Sequence, residues 1–422
     1  MRGMYNMVEP TFQTIHSRHE MVRCFDGYVS DQMEELDERR LKRPLVKTFL
    51  LELLNGTRSC ADSALRAVFA RRRVQLDQIE EGLFLTKDES GQQMGILERL
   101  RPRVLALYST LESAELRRWV PQLVRRSPEL DHVWLSGFTF NVLWGLMLRL
   151  SRPQRFTRLV FTHQSIFEID SQAPDGDEDE GSAEPPSDED EAEVVERRDT
   201  RVTLVDRVCE IQGKLHKLQE LYSPFYAISQ LRFPSPVGRG GHDFFDNGQV
   251  TNRSESFRDH RSHVLFVVRI YERLLQRTED EAWYSISDSA NLPGTFRKII
   301  GAPVVVRFRE PLSPEVFDHW VKLTFERKRN KFRLWGQPLR LGPTKVHVYG
   351  VDRHLWQPLF LELTAKGCTA IIPNGTCGNT VHRLVTNIQR YLDPGAKAFI
   401  GNRTFEAVVE DSASGVQYDP EA

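Results

Sequence analysis

The stretch Val104-Leu-Ala-Leu-Tyr108 begins an alternation of short apolar runs and amphipathic segments, and this alternation decides the predicted fold. An amphipathic segment over 113–126 follows it, and then a second apolar run, His132-Val-Trp-Leu135. A buried helix over 138–150 and a strand over 156–167 complete the pattern. Strands and helices in this order form βαβαβ units, so the sequence predicts a mainly parallel sheet covered by helices.

The residues on either side of this stretch predict a helical cap and a connector. Residues 1–100 are expected to form a helical N-terminal region, since apolar residues recur among charged ones at Leu45, Leu50, Leu51, Leu54 and Leu65. The α/β domain is expected to span 101–235. A connector over 236–299 is predicted to hold a glycine- and proline-rich loop and a helix over 260–277.

Residues 300–405 predict a second domain with the order β-α-β-β-α-β. The β-branched run 303–308 favours a strand, and Ser313 with Pro314 is typical of a helix start. Extended segments follow at 332–341, 345–349 and 359–373, and a helix is expected over 381–392. This order predicts a ferredoxin-like domain, so the chain as a whole is expected to combine α/β and α+β classes. Residues 406–422 are expected to form an acidic tail.

Charge is distributed unevenly along the chain. Residues 170–199 contain 14 Asp and Glu against 2 Arg, whereas the whole chain carries a net charge of -2. Because such a segment buries little apolar surface, we expect it to be a disordered insertion in the α/β domain. Residues 301–400 hold 15 Lys and Arg against 7 Asp and Glu. This surplus predicts a surface that binds a phosphate-bearing partner, and the plainer interpretation is a solvated face without a special function.

A run of cations and aromatic rings lies inside the basic region. It contains Arg327, Lys328, Arg329, Lys331, Arg333 and Trp335. Cations neutralise backbone phosphates while flat rings stack on bases, so the run indicates binding of nucleic acid or a nucleotide. The plainer interpretation is a charged helix end that leads into a half-buried strand.

A glycine-bearing turn, Pro373-Asn-Gly-Thr-Cys-Gly-Asn379, precedes the last predicted helix. Free amides at a helix N-terminus bind anions, so Thr376, Gly378 and Asn379 are candidate anion ligands, with His347 and His354 on neighbouring segments. The plainer interpretation is a helix cap.

The spacing of Cys377 and Arg383 is also that of the phosphate loop of cysteine phosphatases, in which a thiolate attacks phosphorus. This sequence lacks the preceding His and has Thr380 where that loop has Gly. The alternative function is therefore a phosphate-ester hydrolase with Cys377 and Arg383 as its catalytic residues.

Three histidines form a weaker candidate metal site. His242 lies near Asp243, and His260 and His263 share one helical face. No H-E-x-x-H spacing is present, and Asp259 before His260 is equally consistent with a helix cap. We therefore predict no metal here, although a hydrolase could use these residues.

Composition limits the class of protein. The five cysteines are an odd number without a C-x-x-C pair, which favours a reducing compartment. Neither a signal peptide nor an apolar run of about 20 residues is present, so an intracellular protein without membrane contact is expected. The leading hypothesis is a non-catalytic protein that binds nucleic acid or a nucleotide, with the hydrolase and a protein-interaction scaffold as alternatives. No cofactor is indicated.

Overall fold

The computed structural model describes most of the chain. The described residues are 12–37, 44–53, 62–167, 200–221, 226–236, 238–288, 297–326 and 331–420. The acidic insertion predicted for 170–199 lies outside these ranges. Within them, no helix combines the length and the apolar character that crossing a membrane requires.

Eleven strands form the first sheet. They are β1 (Lys47–Leu53), β2 (Gln75–Glu80), β3 (Leu83–Lys87), β4 (Gln93–Arg101), β5 (Val104–Ser109), β6 (Leu130–His132), β7 (Phe156–His163), β8 (Thr200–Arg207), β9 (Ile228–Pro234), β10 (Gly241–Phe245) and β11 (Gln249–Asn252). Their order is β2-β3-β4-β5-β1-β11-β10-β9-β7-β8, with β6 also paired to β1. β7 and β8, which flank residues 168–199, are direct neighbours.

The predicted mainly parallel sheet is wrong. Every strand pairing described in the first sheet is antiparallel, including that of β5 with β1 and β1 with β11. β1 and β5 are buried along their whole length. The run Val104–Tyr108 of β5 is continuously apolar, which is also the pattern of parallel strands. The local sequence therefore did not distinguish the two directions.

The predicted helical N-terminal cap is also wrong, because four of the strands, β1 to β4, lie between residues 47 and 101. The helices of the described residues are α1 (Arg18–Asp37), α2 (Asp62–Ala70), α3 (Ser113–Arg126), α4 (Gly137–Leu150), α5 (Val208–Leu221), α6 (Phe257–Ala282), α7 (Pro314–Val321), α8 (Asn379–Tyr391) and α9 (Phe405–Ala413), with a 3₁₀ turn at Phe12–Thr14 and a π turn at Lys322–Glu326. Leu50 and Leu51 belong to a strand, and tertiary pairing overrides their helical spacing.

Nine strands form the second sheet. They are β12 (Trp283–Asp288), β13 (Arg297–Ile300), β14 (Val304–Arg307), β15 (Leu334–Gly342), β16 (Lys345–Asp352), β17 (Gln357–Thr364), β18 (Gly367–Pro373), β19 (Lys397–Ile400) and β20 (Arg403–Thr404). Their order is β15-β16-β17-β18-β14-β19-β20, and β12 pairs with β13 and β18. The pairing of β12 with β18, two residue pairs long, is parallel.

The predicted ferredoxin-like order is wrong as well. Four strands, β15 to β18, lie between helices α7 and α8, where the prediction had two with one further extended segment. The extended segment 359–373 divides at Ala365 and Lys366 into β17 and β18. The helix start at Ser313 is confirmed, since its side chain accepts a hydrogen bond from the amide of Val316.

Helix α6 connects the two cores. Val264 and Phe266 pack in the core of the first sheet, whereas Leu274 and Ala282 pack in the core of the second. Helix α8 covers the second sheet with Val381, and the preceding Cys377 belongs to the first core. The end of α6 and the start of α8 therefore meet where the two sheets come together.

Gly95 is required by the close approach of β4 to β5. Its φ is +146°, and an added Cβ would lie 2.1 Å from the carbonyl oxygen of Tyr108. We expect Gly95→Ala to lower the free energy of unfolding by about 2–3 kcal/mol because the strands must separate. In the control Gly91→Ala, φ is +84° but no atom lies within 4 Å, so only a conformational cost of about 1 kcal/mol is expected. Urea denaturation of both variants checks this, and equal losses would contradict it.

Candidate functional site

A buried cluster of charged and polar side chains lies between the two sheets. This interface cluster comprises Glu52, Arg103, Asp131, Glu279, Arg333, Asp352, His354, Cys377 and Arg383. All of these except Arg103 are buried. Three of them, Glu52, Arg103 and Asp131, come from the first sheet and its turns. The cluster therefore joins residues that are far apart in the sequence.

Arg383 forms two buried ion pairs within the interface cluster. Its guanidinium contacts the carboxylates of Asp131 and Asp352, and its Nε donates to the carbonyl of Phe332 at 3.1 Å. Burial alone would raise the pKa of Asp131, but Arg383 and Arg333 outweigh it and hold that pKa well below its usual range. Every charge in this half of the cluster thus has a partner of opposite sign.

Cys377 lies in the other half of the cluster. Its Sγ is 3.2 Å and 3.1 Å from the two carboxylate oxygens of Glu52, and 3.4 Å from Nη2 of Arg103. Arg103 also donates to Glu52 at 2.6 Å and to both oxygens of Glu279 at 2.9 Å. Burial, followed by the charge of Glu52, raises the pKa of the Cys377 thiol well above its usual value. The thiol therefore retains its proton and donates it to Glu52.

The glycine-bearing turn contacts groups of the protein itself. The amide of Gly378 donates to Oε1 of Glu279 at 3.0 Å, so a carboxylate from α6 already occupies the anion position at the start of α8. The side chain of Asn379 accepts from the hydroxyl of Tyr271 at 2.7 Å. Thr376 is also buried. The three predicted anion ligands of the turn thus lie inside the protein.

His354 points into the interface cluster from the turn between β16 and β17. Leu355 and Trp356 have φ of 59° and 54°, a left-handed conformation that is costly for side chains of this size. The carbonyl of Pro128 accepts from His354 Nδ1 at 2.7 Å and from the amide of Leu355 at 2.9 Å. Burial lowers the pKa of His354, which is therefore neutral near pH 7. Its Nε2 faces Glu52 at 3.8 Å.

Cys377 and Arg383 lie in surroundings unlike those of a phosphatase loop. A phosphatase needs a thiolate of lowered pKa and a guanidinium that is available to the substrate. Here the pKa of the thiol is raised and the guanidinium is held by two carboxylates. Both side chains are at most 1% exposed. The hydrolase alternative receives no support from this geometry.

The residues of the basic run do not form one surface. Arg327, Lys328 and Arg329 lie outside the described residues. The carbonyl of Lys331 accepts from the side chain of Asn387 at 2.7 Å. Arg333 is buried, pairs with Asp131 at 3.0 Å and donates to the carbonyls of Val124, Ser127 and Leu130. Among the described residues of the run, Arg333 is therefore buried, Lys331 is partly exposed and Trp335 is exposed to solvent.

Trp335 lies on an open face of the second sheet, which β15, β16 and β17 turn to solvent. Buried and less buried residues alternate along β16 and β17, as expected where one face packs on the core. Trp335 is 61% exposed and Tyr349 is 76% exposed. His347 also lies on this face, where it contacts the ring of Phe360 at 5.4 Å and bonds to Glu362 at 2.7 Å.

The three candidate histidines meet in a second buried group. His242 Nε2 lies 2.9 Å from Oδ2 of Asp259, and the two Nδ1 atoms of His242 and His260 are 3.3 Å apart. His263 Nδ1 lies 3.2 Å from Asp259 Oδ1, which also accepts from the hydroxyl of Tyr418 at 2.8 Å. Burial lowers the pKa values of His242 and His260. Hydrogen bonds within the protein engage both oxygens of Asp259.

Sequence reasoning missed four members of the interface cluster, namely Glu52, Arg103, Asp131 and Glu279. One local signal could have indicated Glu52, which is a carboxylate inside the apolar run Phe49-Leu-Leu-Glu-Leu53. A charged residue in a fully buried strand requires a partner, because burial of an unpaired charge is costly. The identity of that partner has no local signal, since Cys377 is 325 residues away.

The described residues form two sheets, antiparallel apart from the short pairing of β12 with β18, and a buried polar cluster lies between them. The chain matches the family of MJECL33-like proteins over residues 9–144 and 230–404, more than half of its length, and it belongs to that family. All nine residues of the interface cluster lie in the matched ranges, whereas residues 170–199 lie between them.

One curated relative is the uncharacterized protein MJECL33 of Methanocaldococcus jannaschii. It is 26% identical to this chain over 152 residues, which are 36% of this chain and 34% of the relative. The chain thus matches about a third of the length of that relative. No solved structure matches the chain.

Proposed function

We propose that this protein binds single-stranded nucleic acid on the open face of its second sheet. The observation that carries the proposal is the exposure of two large aromatic side chains, Trp335 and Tyr349, on neighbouring strands of one face. Burying a Trp or Tyr ring is among the most favourable contacts that a surface can offer. Rings kept in solvent on a rigid sheet are therefore available to a ligand.

The register of the strands places the rings side by side. Gln337 of β15 is opposite Tyr349 of β16, and Tyr349 is opposite Phe360 of β17. Trp335 is two residues from Gln337 and so lies diagonally from Tyr349 on the same face. Neighbouring strands are about 4.8 Å apart, so the rings of Trp335, Tyr349 and Phe360 form a row across β15, β16 and β17. Successive bases can stack on such a row.

Cations also lie on the open face. Lys345 of β16 is on the same face as Tyr349, and its exposed end pairs with Glu362 at 2.8 Å. Arg340 of β15 is opposite the buried Val346 and so projects from the other face, where it pairs with Asp318. At the far side of the sheet, the guanidinium of Arg307 lies 5.0 Å from the ring centroid of Phe399. Apart from the buried Arg333, Arg383 and Asp352, residues 301–400 hold 13 Lys and Arg against 6 Asp and Glu, and this surplus favours a polyanion as the partner.

Single strands fit this surface better than duplexes. Stacking on a side-chain ring requires an unstacked base, and RNA-binding sheets use exposed aromatic residues in this way. In a duplex the bases are already stacked on one another. We therefore expect tighter binding of unstructured oligonucleotides than of duplexes of equal length.

Trp335→Ala and Tyr349→Ala are each expected to weaken binding of a fluorescent single-stranded oligonucleotide by about 5- to 150-fold. This corresponds to the loss of one base-stacking contact, about 1–3 kcal/mol. Fluorescence anisotropy at low ionic strength measures the affinity, which should fall as salt is added because counterions are released. Phe156→Ala is the matched control, since this exposed ring lies on β7 of the first sheet. It should bind like the wild type.

Two results would contradict the proposal. One is an absence of binding to either RNA or DNA single strands at low salt. The other is equal binding by Trp335→Ala, Tyr349→Ala and the wild type in samples with native circular dichroism. Binding of a protein partner that these two substitutions abolish, without any nucleic-acid affinity, would identify the open face as a protein-docking surface instead.

A further inference from the structure

We propose that Glu52, His354 and Cys377 form a binding site for one divalent transition-metal ion of the zinc class. The three side chains supply a carboxylate oxygen, an imidazole nitrogen and a sulfur, which together form a ligand set typical of zinc. They come from β1, from the turn between β16 and β17, and from the turn before α8. A metal ion at this point would link the two sheets.

The ligand atoms have the separations that a tetrahedral ion requires. All three lie within 4.8 Å of one another. Oε2 of Glu52 is 3.1 Å from Sγ of Cys377 and 3.8 Å from Nε2 of His354. With zinc–ligand bonds of about 2.0–2.3 Å, tetrahedral geometry separates two ligands by roughly 3.5 Å. The site is therefore near its bound dimensions before an ion enters.

His354 provides an independent indication of a ligand. Its Nδ1 donates to the carbonyl of Pro128 at 2.7 Å, so in the neutral ring the Nε2 atom carries a lone pair. That Nε2 has no hydrogen-bond partner among the described residues, and the side chain is 0% exposed. It faces a carboxylate oxygen of Glu52, so two acceptors point at each other with no proton between them. A cation satisfies both.

The charge balance also favours a cation. Near Cys377 the carboxylates of Glu52 and Glu279 face a single guanidinium, that of Arg103, which leaves one negative charge in excess. The other half of the cluster is balanced, with two arginines against two aspartates. A divalent ion adds two positive charges, and the thiol proton that it displaces into solvent removes one. Binding therefore neutralises the cluster.

Neighbouring groups are placed to support a metal-bound thiolate. The amide of Asn379 donates to Sγ of Cys377 at 3.4 Å, and Arg103 holds the other oxygen of Glu52 at 2.6 Å. The carbonyl of Pro128 fixes the ring of His354. Such outer contacts orient ligands in known metal sites. The histidine group around Asp259 differs, because His242 Nε2 is already hydrogen-bonded to Asp259 at 2.9 Å, whereas His354 Nε2 has no such partner among the described residues.

Metal analysis of the full-length protein, purified from zinc-supplemented cells and dialysed, tests the proposal. We expect one zinc ion per chain. Replacement with cobalt should give the intense near-ultraviolet absorption of a cobalt–thiolate bond and the visible bands of a tetrahedral ion. A protein that contains no metal and shows no cobalt–thiolate absorption on titration would overturn the proposal, and this result does not depend on any variant.

Cys377→Ser and His354→Gln should each lower metal content and abolish or shift the cobalt spectrum. The matched controls are Cys368→Ser and His382→Gln, which change a buried cysteine and a buried histidine outside the site. Both should bind one equivalent with an unchanged spectrum. If metal instead stays in Cys377→Ser and His354→Gln and is lost from His242→Gln, the site is the histidine group and the proposal is wrong. If the site variants do not fold, the test is the comparison of the wild type with Cys368→Ser. The proposal requires the same cobalt–thiolate absorption from both proteins.

Discussion

Arg383→Ala is expected to lower the free energy of unfolding by about 3–5 kcal/mol. The guanidinium is fully buried between Asp131 and Asp352, and removing it leaves two buried carboxylates with one remaining cation, Arg333. An uncompensated buried charge is among the most costly single defects in a protein. Urea denaturation monitored by circular dichroism gives the value.

Two further variants test whether the loss in Arg383→Ala comes from the burial of its ion pairs. Arg340 is paired with Asp318 at 2.8 Å, but both side chains are largely in solvent. Arg340→Ala should therefore change the free energy of unfolding by less than about 1 kcal/mol. Arg383→Lys should recover part of the loss only, since an ammonium cannot reproduce the forked contact with two carboxylates. A loss below about 1 kcal/mol in Arg383→Ala would show that these pairs contribute little.

Acidification is expected to destabilise the protein below about pH 6.5, well before the carboxylates titrate. Burial lowers the pKa of His132 to about 4, and burial and then Arg103 lower that of His382 to about 3. In the unfolded chain both are near 6.5. Between these values the unfolded chain binds protons that the folded protein does not. The contribution of these two histidines to the free energy of unfolding is therefore fully present above pH 6.5. It decreases as the pH falls towards the pKa values of the folded protein.

The expected slope approaches about 1.4 kcal/mol per pH unit for each of the two histidines, which gives about 6 kcal/mol in total by about pH 4. His382→Gln keeps a partner for Thr278, which lies 3.1 Å from His382 Nε2, and removes one titrating group. Its slope should be shallower by about 1.4 kcal/mol per pH unit. His216→Gln, which changes an exposed histidine, should leave the slope unchanged.

The pH at which the loss begins distinguishes histidines from carboxylates. The pKa of Asp243, where Arg232 and Arg253 outweigh burial, is lowered to about 2, so the stability from this carboxylate disappears only below about pH 4. Urea denaturation at several pH values between about 7 and 4 measures the effect. A free energy of unfolding that stays constant down to about pH 4 would contradict the role assigned to His132 and His382.

Several residues that the sequence predicts to bind an anion are instead buried in or beside the interface cluster. Arg333, Thr376, Gly378, Asn379 and His354 are buried, although their residue types are those of an anion site. The turn before α8 does hold an anion, but it is the carboxylate of Glu279. Trp335 is exposed and His347 is partly exposed, and both lie on the open face for which we propose nucleic-acid binding.

The sequence by itself determined the features that depend on near neighbours. The start of α7 at Ser313, the helix within 257–282 and the strand from Phe156 follow from capping residues and from the spacing of apolar side chains. The basic character of residues 301–400 is a property of composition. These features need no knowledge of what packs against them.

Only the tertiary structure decided the direction of the strands and the partners of the buried charges. β1 and β5 are buried along their whole length, and the apolar run Val104–Tyr108 of β5 would look the same in a parallel sheet, so the antiparallel pairing of these strands leaves no local trace. Glu52 meets Cys377 across 325 positions of sequence, and Asp131 meets Arg383 across 252. Such pairs form because burial makes an unpaired charge too costly, and that requirement arises only when the two sheets come together.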